Sequence, residues 1–174
     1  VKNSNWLRFG FHTLNGETDY KKGKITNDYI KTINQLKRIV GKQSIDNVIR
    51  LQMFQGSYKE IKQLSQLVDE PVKGLLTADD KRQSYYLNKD NSKYIYCHDE
   101  YYDADTNIHF YSTDFRTEDI ENINSKLREL GTDSWNNQIG DLVIFSHEWA
   151  LSMENKDKIE KVCKTMNNGL KEAN

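Results

Sequence analysis

Proline is nearly absent from this chain. Pro71 is the only one in 174 residues, and no Gly- or Ser-rich tract stands in for it as a linker, so a single domain over 1–174 is expected. Cysteine is scarce as well: Cys97 and Cys163 form neither a metal-ligand spacing nor a disulfide framework. Cys163 falls on the apolar stripe of the last helical pattern and reads as a reduced core thiol. No apolar run comes near the ~18–20 residues of a membrane span, so membrane insertion is not expected. No signal-like stretch is visible, which favours the cytoplasm, while an opening at Val1 without methionine leaves a removed export signal open. An excess of one charge sign is missing too, since 25 Lys and Arg face 26 Asp and Glu for a formal net charge of -1. The densest basic cluster, Tyr20-Lys21-Lys22-Gly23-Lys24, reads as a solvated loop, and no nucleic-acid partner is expected.

What is present suits a folded domain. Hydrophobic content is 36% and aromatic content 11%, enough to bury a core at this length. Strand and helix patterns alternate. Residues 6–14 and 47–54 read as strands, and 74–78 as a short one running into Asp79-Asp80. Between them, Ile30, Ile33, Leu36 and Val40 recur at helical spacing behind Thr26 as cap, with Gly41 as the stop. Ser57-Tyr58-Lys59-Glu60 is a capping box for a second helix. Residues 92–98 and 108–113 look β-like and flank a polar stretch. Thr117 with Glu118 and Asp119 opens a third helix that Gly131 closes. A strand over 141–147 and a helix from Glu154 finish the chain. This alternation implies a largely parallel sheet with right-handed crossovers. In two strands a polar row (Arg8, Gly10, His12; Arg50, Gln52) opposes an apolar one (Leu7, Phe9, Phe11; Ile49, Leu51, Met53). A polar row of that kind favours a barrel with a wet interior over an open doubly covered sheet.

Chemistry gathers at strand ends in such folds. His12, Asp79, Asp80, His147 and Glu148 all stand there, and imidazole with carboxylate suits a divalent metal such as zinc with an open position for water. Each residue has a plainer reading: His12 as a hydrogen-bonded core histidine, Asp79-Asp80 as a strand-ending turn. Arg50 needs an anionic partner if buried, structural or catalytic. Tyr85, Tyr86, Tyr94, Tyr96, Tyr101, Tyr102 and Tyr111 offer flat amphipathic faces that can stack on sugars, and strand propensity explains the same enrichment.

Three segments carry a family resemblance: Trp6-Leu7-Arg8-Phe9-Gly10-Phe11-His12-Thr13, Ile49-Arg50-Leu51-Gln52-Met53-Phe54-Gln55-Gly56, and Leu142-Val143-Ile144-Phe145-Ser146-His147-Glu148-Trp149. They resemble, in order, the second, third and fifth motifs of the polysaccharide deacetylases, metal-dependent carbohydrate esterases. The resemblance implies an irregular (β/α) barrel of the polysaccharide deacetylase type, incomplete at its N-terminus, because the family's first motif, a strand ending in paired aspartates, would precede His12. It makes His12 a metal ligand, Arg50 the holder of a catalytic carboxylate and His147 the general acid. Gly16 stands where the family has a second histidine, and Leu51 where it has proline.

The expected function is therefore metal-dependent removal of an N- or O-acetyl group from a carbohydrate. His147, Asp80 and Arg50 would be catalytic. His12 and Asp79 would hold zinc, and Trp149, Glu148 and Tyr86 would touch the sugar. The alternative is a non-catalytic relative that binds glycans through its aromatic residues, and a third reading is an unrelated α/β hydrolase or isomerase.

Overall fold

The computed structural model describes residues 7–14, 23–137 and 142–172. The chain divides into two compact units, Val1–Ser112 and Thr113–Asn174.

The first unit is built on one four-stranded sheet of β1 (Val48–Ile49), β2 (Gly74–Leu76), β4 (Ile108–Tyr111) and β3 (Glu100–Asp103), in that spatial order. β1, β2 and β4 are parallel, and β3 pairs antiparallel with β4 through Tyr101↔Phe110 and Tyr102↔His109. Helices α1 (Ile25–Val40), α2 (Tyr58–Ser65) and α3 (Lys89–His98) complete it. Its core joins Phe11, Ile25, Tyr29 and Ile33 with Ile49, Leu51, Ile61, Leu64, Leu75, Ile95, Ile108 and Phe110.

The helices form where caps and apolar spacing agree. In α1 the buried face is Ile25, Tyr29 and Ile33, while Ile30 is exposed. The helix begins at Ile25 with Lys24 as cap residue instead of Thr26, and Gly41, at φ 86°, ends it as expected. Tyr29 donates to the Glu70 carbonyl at 2.7 Å and is buried, and burial pushes its hydroxyl up to about 12. In α2 the capping box is present. The Ser57 hydroxyl accepts from the Glu60 N–H at 3.3 Å, and the Glu60 carboxylate accepts from the Ser57 N–H at 3.2 Å. Ser57→Ala is expected to lower stability by about 1 kcal/mol in urea titration.

Residues 92–98, expected as a strand, belong to α3. The Asn88 side chain accepts from the Asn91 N–H at 2.7 Å, and Ser92 and Ile95, one helical step apart, are the buried residues. The cap and this burial outweigh the strand propensity of Tyr94 and Tyr96.

The barrel expectation is also overturned. Among the described residues the strands form an open, mixed four-stranded sheet and a separate parallel pair, with no closed barrel. The reason lies in the supposed polar rows. β1 ends at Ile49, and Gln52–Phe54 is a 3-10 turn with Met53 at φ 55°, ψ 17°. Arg50 and Gln52 therefore do not continue a strand face. Residues 7–14 contribute only an isolated parallel bridge, Phe9↔Ile45. The antiparallel β3 then occupies one edge of the sheet. No helix among the described residues is long and apolar enough to cross a membrane.

The second unit pairs β5 (Phe115–Arg116) with β6 (Ile144–Phe145) in parallel and adds α4 (Ile123–Asn137) and α5 (Met153–Glu172). Phe115, Ile123, Leu130 and Val162 form its core. Thr117–Asp119 is a 3-10 turn, not the start of the expected helix. That helix begins at Ile123, where the Asn122 side chain accepts from the Ser125 N–H at 3.1 Å, and it continues through Gly131. Cys163 is exposed, as is Cys97, so the core-thiol reading is also corrected: Val162 beside it takes the buried position.

Candidate acid–base site

The parallel register of β5 and β6 aligns Arg116 with Phe145. Two residues past that aligned pair stand Glu118, within the Thr117–Asp119 turn, and His147, so the register brings the two strand ends, with a carboxylate and an imidazole just beyond them, to one edge. His147 Nδ1 lies 2.5 Å from Glu118 Oε1, with side-chain exposures of 21% and 10%. A carboxylate only accepts, so Nδ1 carries the proton and Nε2 is left for other chemistry. Among the described residues no hydrogen bond to Nε2 is found.

Glu118 is well supplied with donors. Burial disfavours its charged form, but the bond from His147 and those from its own backbone and Ser146 outweigh burial and hold the carboxyl below its usual range. Its Oε2 accepts from the Ser146 hydroxyl at 3.2 Å and from Thr117 Oγ1 at 3.5 Å. Ser146 Oγ in turn accepts from Asn155 Nδ2 at 2.9 Å.

Two rings flank the imidazole. Phe145 meets it edge-on at 5.2 Å, and Trp149 stacks on it at 5.0 Å with an interplanar angle of 21°. Trp149 is itself 74% exposed, so its other surface faces solvent beside the site. Arg116 lies 5.9 Å from the Phe145 ring centroid and pairs with Asp119 at 3.1 Å.

His12, Arg50, Asp79, Asp80 and Tyr86 belong to the first unit and His147 and Trp149 to the second. His12 and Arg50 are brought together: His12 Nδ1 donates to the Arg50 carbonyl at 2.7 Å, and Arg50 Nη2 approaches His12 Nε2 at 3.5 Å. Asp80 is gripped by Arg82, whose Nε donates to both carboxylate oxygens at 2.8 Å and whose backbone N–H donates to Oδ1. Asp79 sits half-buried beside it, after β2. Tyr86 donates to Asp103 and accepts from the Thr106 hydroxyl at 2.8 Å, locking the β3–β4 hairpin. The side chain of Glu148 lies outside the described residues.

A separate open pocket of about 400 Å³ in the first unit is lined by Phe54, Gln55, Gly56, Ser57, Glu60, Gln83 and Tyr85. Phe54 and Tyr85 both hold positive φ there, at 53° and 56°. Left-handed backbone at bulky residues is strained and collects at functional sites.

The zinc expectation meets a poor fit. Among the described residues no three His, Cys, Asp or Glu side chains gather to hold a metal ion. The His12 nitrogen that would bind one faces a guanidinium, and Asp80 is already paired with Arg82.

Glu118 is the site residue that sequence reasoning missed. As an acid after Thr117 it fitted a helix start, and only the β5–β6 register places it against His147. Ser146 lies within the segment that resembles the fifth motif but has no role there, and Asn155 gives no signal in the sequence.

Acid should loosen both units. Asp103 is held below its usual range as well: burial opposes its charge, and donors from Tyr86, Thr106 and the Asp105 and Thr106 backbone outweigh it. A carboxyl whose folded pKa is depressed stabilises the fold above its unfolded pKa and loses that contribution as pH falls. Melting temperature is expected to drop from about pH 5 downward, with a shallower slope in Asp103→Asn and Glu118→Gln.

Compared with protein-family models, with curated proteins and with solved structures, the chain finds no match in any of the three.

Proposed function

We propose that the Glu118–His147 pair is the proton-transfer centre of a hydrolase that removes an acyl group, acetyl first of all, from a carbohydrate. The observation that carries this reading is the 2.5 Å bond that fixes the imidazole by Nδ1 just past a strand end and leaves Nε2 available for proton transfer. The exposed indole of Trp149 beside it offers an apolar face of the kind that stacks on a sugar ring.

The chemistry follows from that tautomer. As water adds to the acyl carbon, Nε2 takes its proton, and Glu118 stabilises the imidazolium that forms. The tetrahedral species collapses when the C–O or C–N bond to the sugar breaks. Nε2 then returns the proton to the leaving oxygen or nitrogen. A free acid and an alcohol or amine result, and the imidazole is neutral again.

Acetate release from O- and N-acetylated oligosaccharides tests this. Release by the wild type that vanishes in His147→Ala supports it, and equal release by both rejects the role of His147. A second reading, glycan binding without turnover, is favoured by the engagement of Asp80 with Arg82 and of His12 with Arg50. It expects oligosaccharide binding that weakens in Trp149→Ala and no acetate from any variant.

A further inference from the structure

We propose that Ser146 and Asn155 are positioning residues of this site. Asn155 sets the direction of the Ser146 hydroxyl, and that hydroxyl holds the Glu118 carboxylate against His147. The proposal rests on the proton-transfer reading above for its catalytic consequence, though not for its geometry.

The directions of the hydrogen bonds carry the argument. Asn155 is 4% exposed, on the first turn of α5. Its Nδ2 lies 3.0 Å from the Ala150 carbonyl, which can only accept, so the amide NH2 group points this way and not its oxygen. The same Nδ2 lies 2.9 Å from Ser146 Oγ, which therefore accepts. With that lone pair occupied, the Ser146 proton is available to Glu118 Oε2 at 3.2 Å. The other oxygen of Glu118 takes the Nδ1 proton of His147 at 2.5 Å. Donation thus runs one way, Asn155 to Ser146 to Glu118, and ends on the carboxylate that orients the imidazole.

Asn155 is itself held in place. Its backbone N–H donates to Ser152 Oγ at 3.2 Å, and Ala150 N–H donates back to the His147 carbonyl at 3.0 Å. The Glu148–Ala150 turn that carries Trp149 is thereby tied to the same amide. Arg116 and Asp119 pair with each other at 3.1 Å, and Arg116 lies 5.9 Å from the Phe145 ring centroid.

A purely structural asparagine would only pin α5 to this turn. A positioning role makes a different expectation, since losing a hydrogen bond to a charged group that orients the base shows as roughly tenfold in rate. In the full chain, Ser146→Ala is expected to lower kcat about tenfold at unchanged KM. It should also shift the Nδ1 proton resonance of His147 and raise the pH below which Glu118 stops holding it. Ser146→Thr keeps the hydroxyl and is expected to restore all three. Asn155→Asp replaces the donor by an acceptor, turns the Ser146 proton away from Glu118, and should move the resonance and the acid limit in the same direction as Ser146→Ala. A Ser146→Ala variant with a wild-type kcat, Nδ1 resonance and acid limit overturns the proposal. If no variant, wild type included, releases acetate, the hydrolase reading fails, and the Nδ1 resonance alone still decides the relay: shifted in Ser146→Ala and restored in Ser146→Thr, or unchanged in both.

Discussion

His147→Ala is expected to lower acyl-group hydrolysis by about 10²–10⁴-fold, the range that positioned acid–base groups supply. The loss should fall on kcat, because in the proposed mechanism the imidazole moves protons and Trp149 would still be present to meet a sugar. Stability should change little. His147 is partly exposed, and its main polar partner, Glu118, keeps Ser146 and Thr117 as donors. Paired kinetic and urea-denaturation measurements separate the two effects. A fall in activity matched by a fall in the denaturation midpoint would assign His147 a structural role instead.

Phe110→Ala carries the largest expected cost in stability. Phe110 is fully buried on β4, the strand flanked by β2 and β3. Its ring stacks on Tyr101 at 6.4 Å, meets Tyr86 edge-on at 6.0 Å, and lies tilted against Tyr85 at 5.8 Å. Removing it opens a cavity among three aromatic rings, two of them anchored through their hydroxyls. The Tyr85 hydroxyl donates to the Leu76 carbonyl at 2.6 Å, and Tyr86 is bound to Asp103 and Thr106. Neighbours held this way cannot collapse into the gap. The loss is therefore expected at about 3–5 kcal/mol, a large share of the ~5–15 kcal/mol that holds a domain folded. Urea denaturation should show a lower midpoint at an unchanged slope. A loss under about 1 kcal/mol would mean that the aromatic cluster repacks freely.

How much of this was legible depended on whether the signal was local. The capping box at Ser57 and the glycine stop at Gly41 are properties of a few adjacent residues, and both stand in the structure. The strand before His147 was readable in part, from the apolar run that precedes it, though the described strand spans only Ile144–Phe145 of the expected 141–147. What needed pairing information was lost. Strands of two to four residues are too short for a two-residue period to be told from chance, so Arg50 and Gln52 looked like a barrel's inner row when the chain in fact turns at Met53. Tyr94 and Tyr96 suggested a strand because propensity is a weak prior, and the cap at Asn88 with the buried Ile95 decided for a helix. Glu118 is the clearest case. Nothing near it in sequence points to His147, 29 residues on, and only the parallel register of β5 with β6 makes the two neighbours.

The most direct test of the acid–base pair is acetate release across pH by the wild type and Glu118→Gln. The substitution keeps an acceptor near Nδ1 and removes the charge that stabilises the imidazolium. Turnover at neutral pH is expected to fall about a hundredfold or more at similar KM. The wild type should lose activity as falling pH protonates Nε2, which the mechanism needs as a base, and removing the charge beside Nδ1 should displace that acid limb in the variant's profile. A Glu118→Gln enzyme with wild-type turnover and an unchanged profile would contradict the pairing of Glu118 and His147 as a catalytic unit.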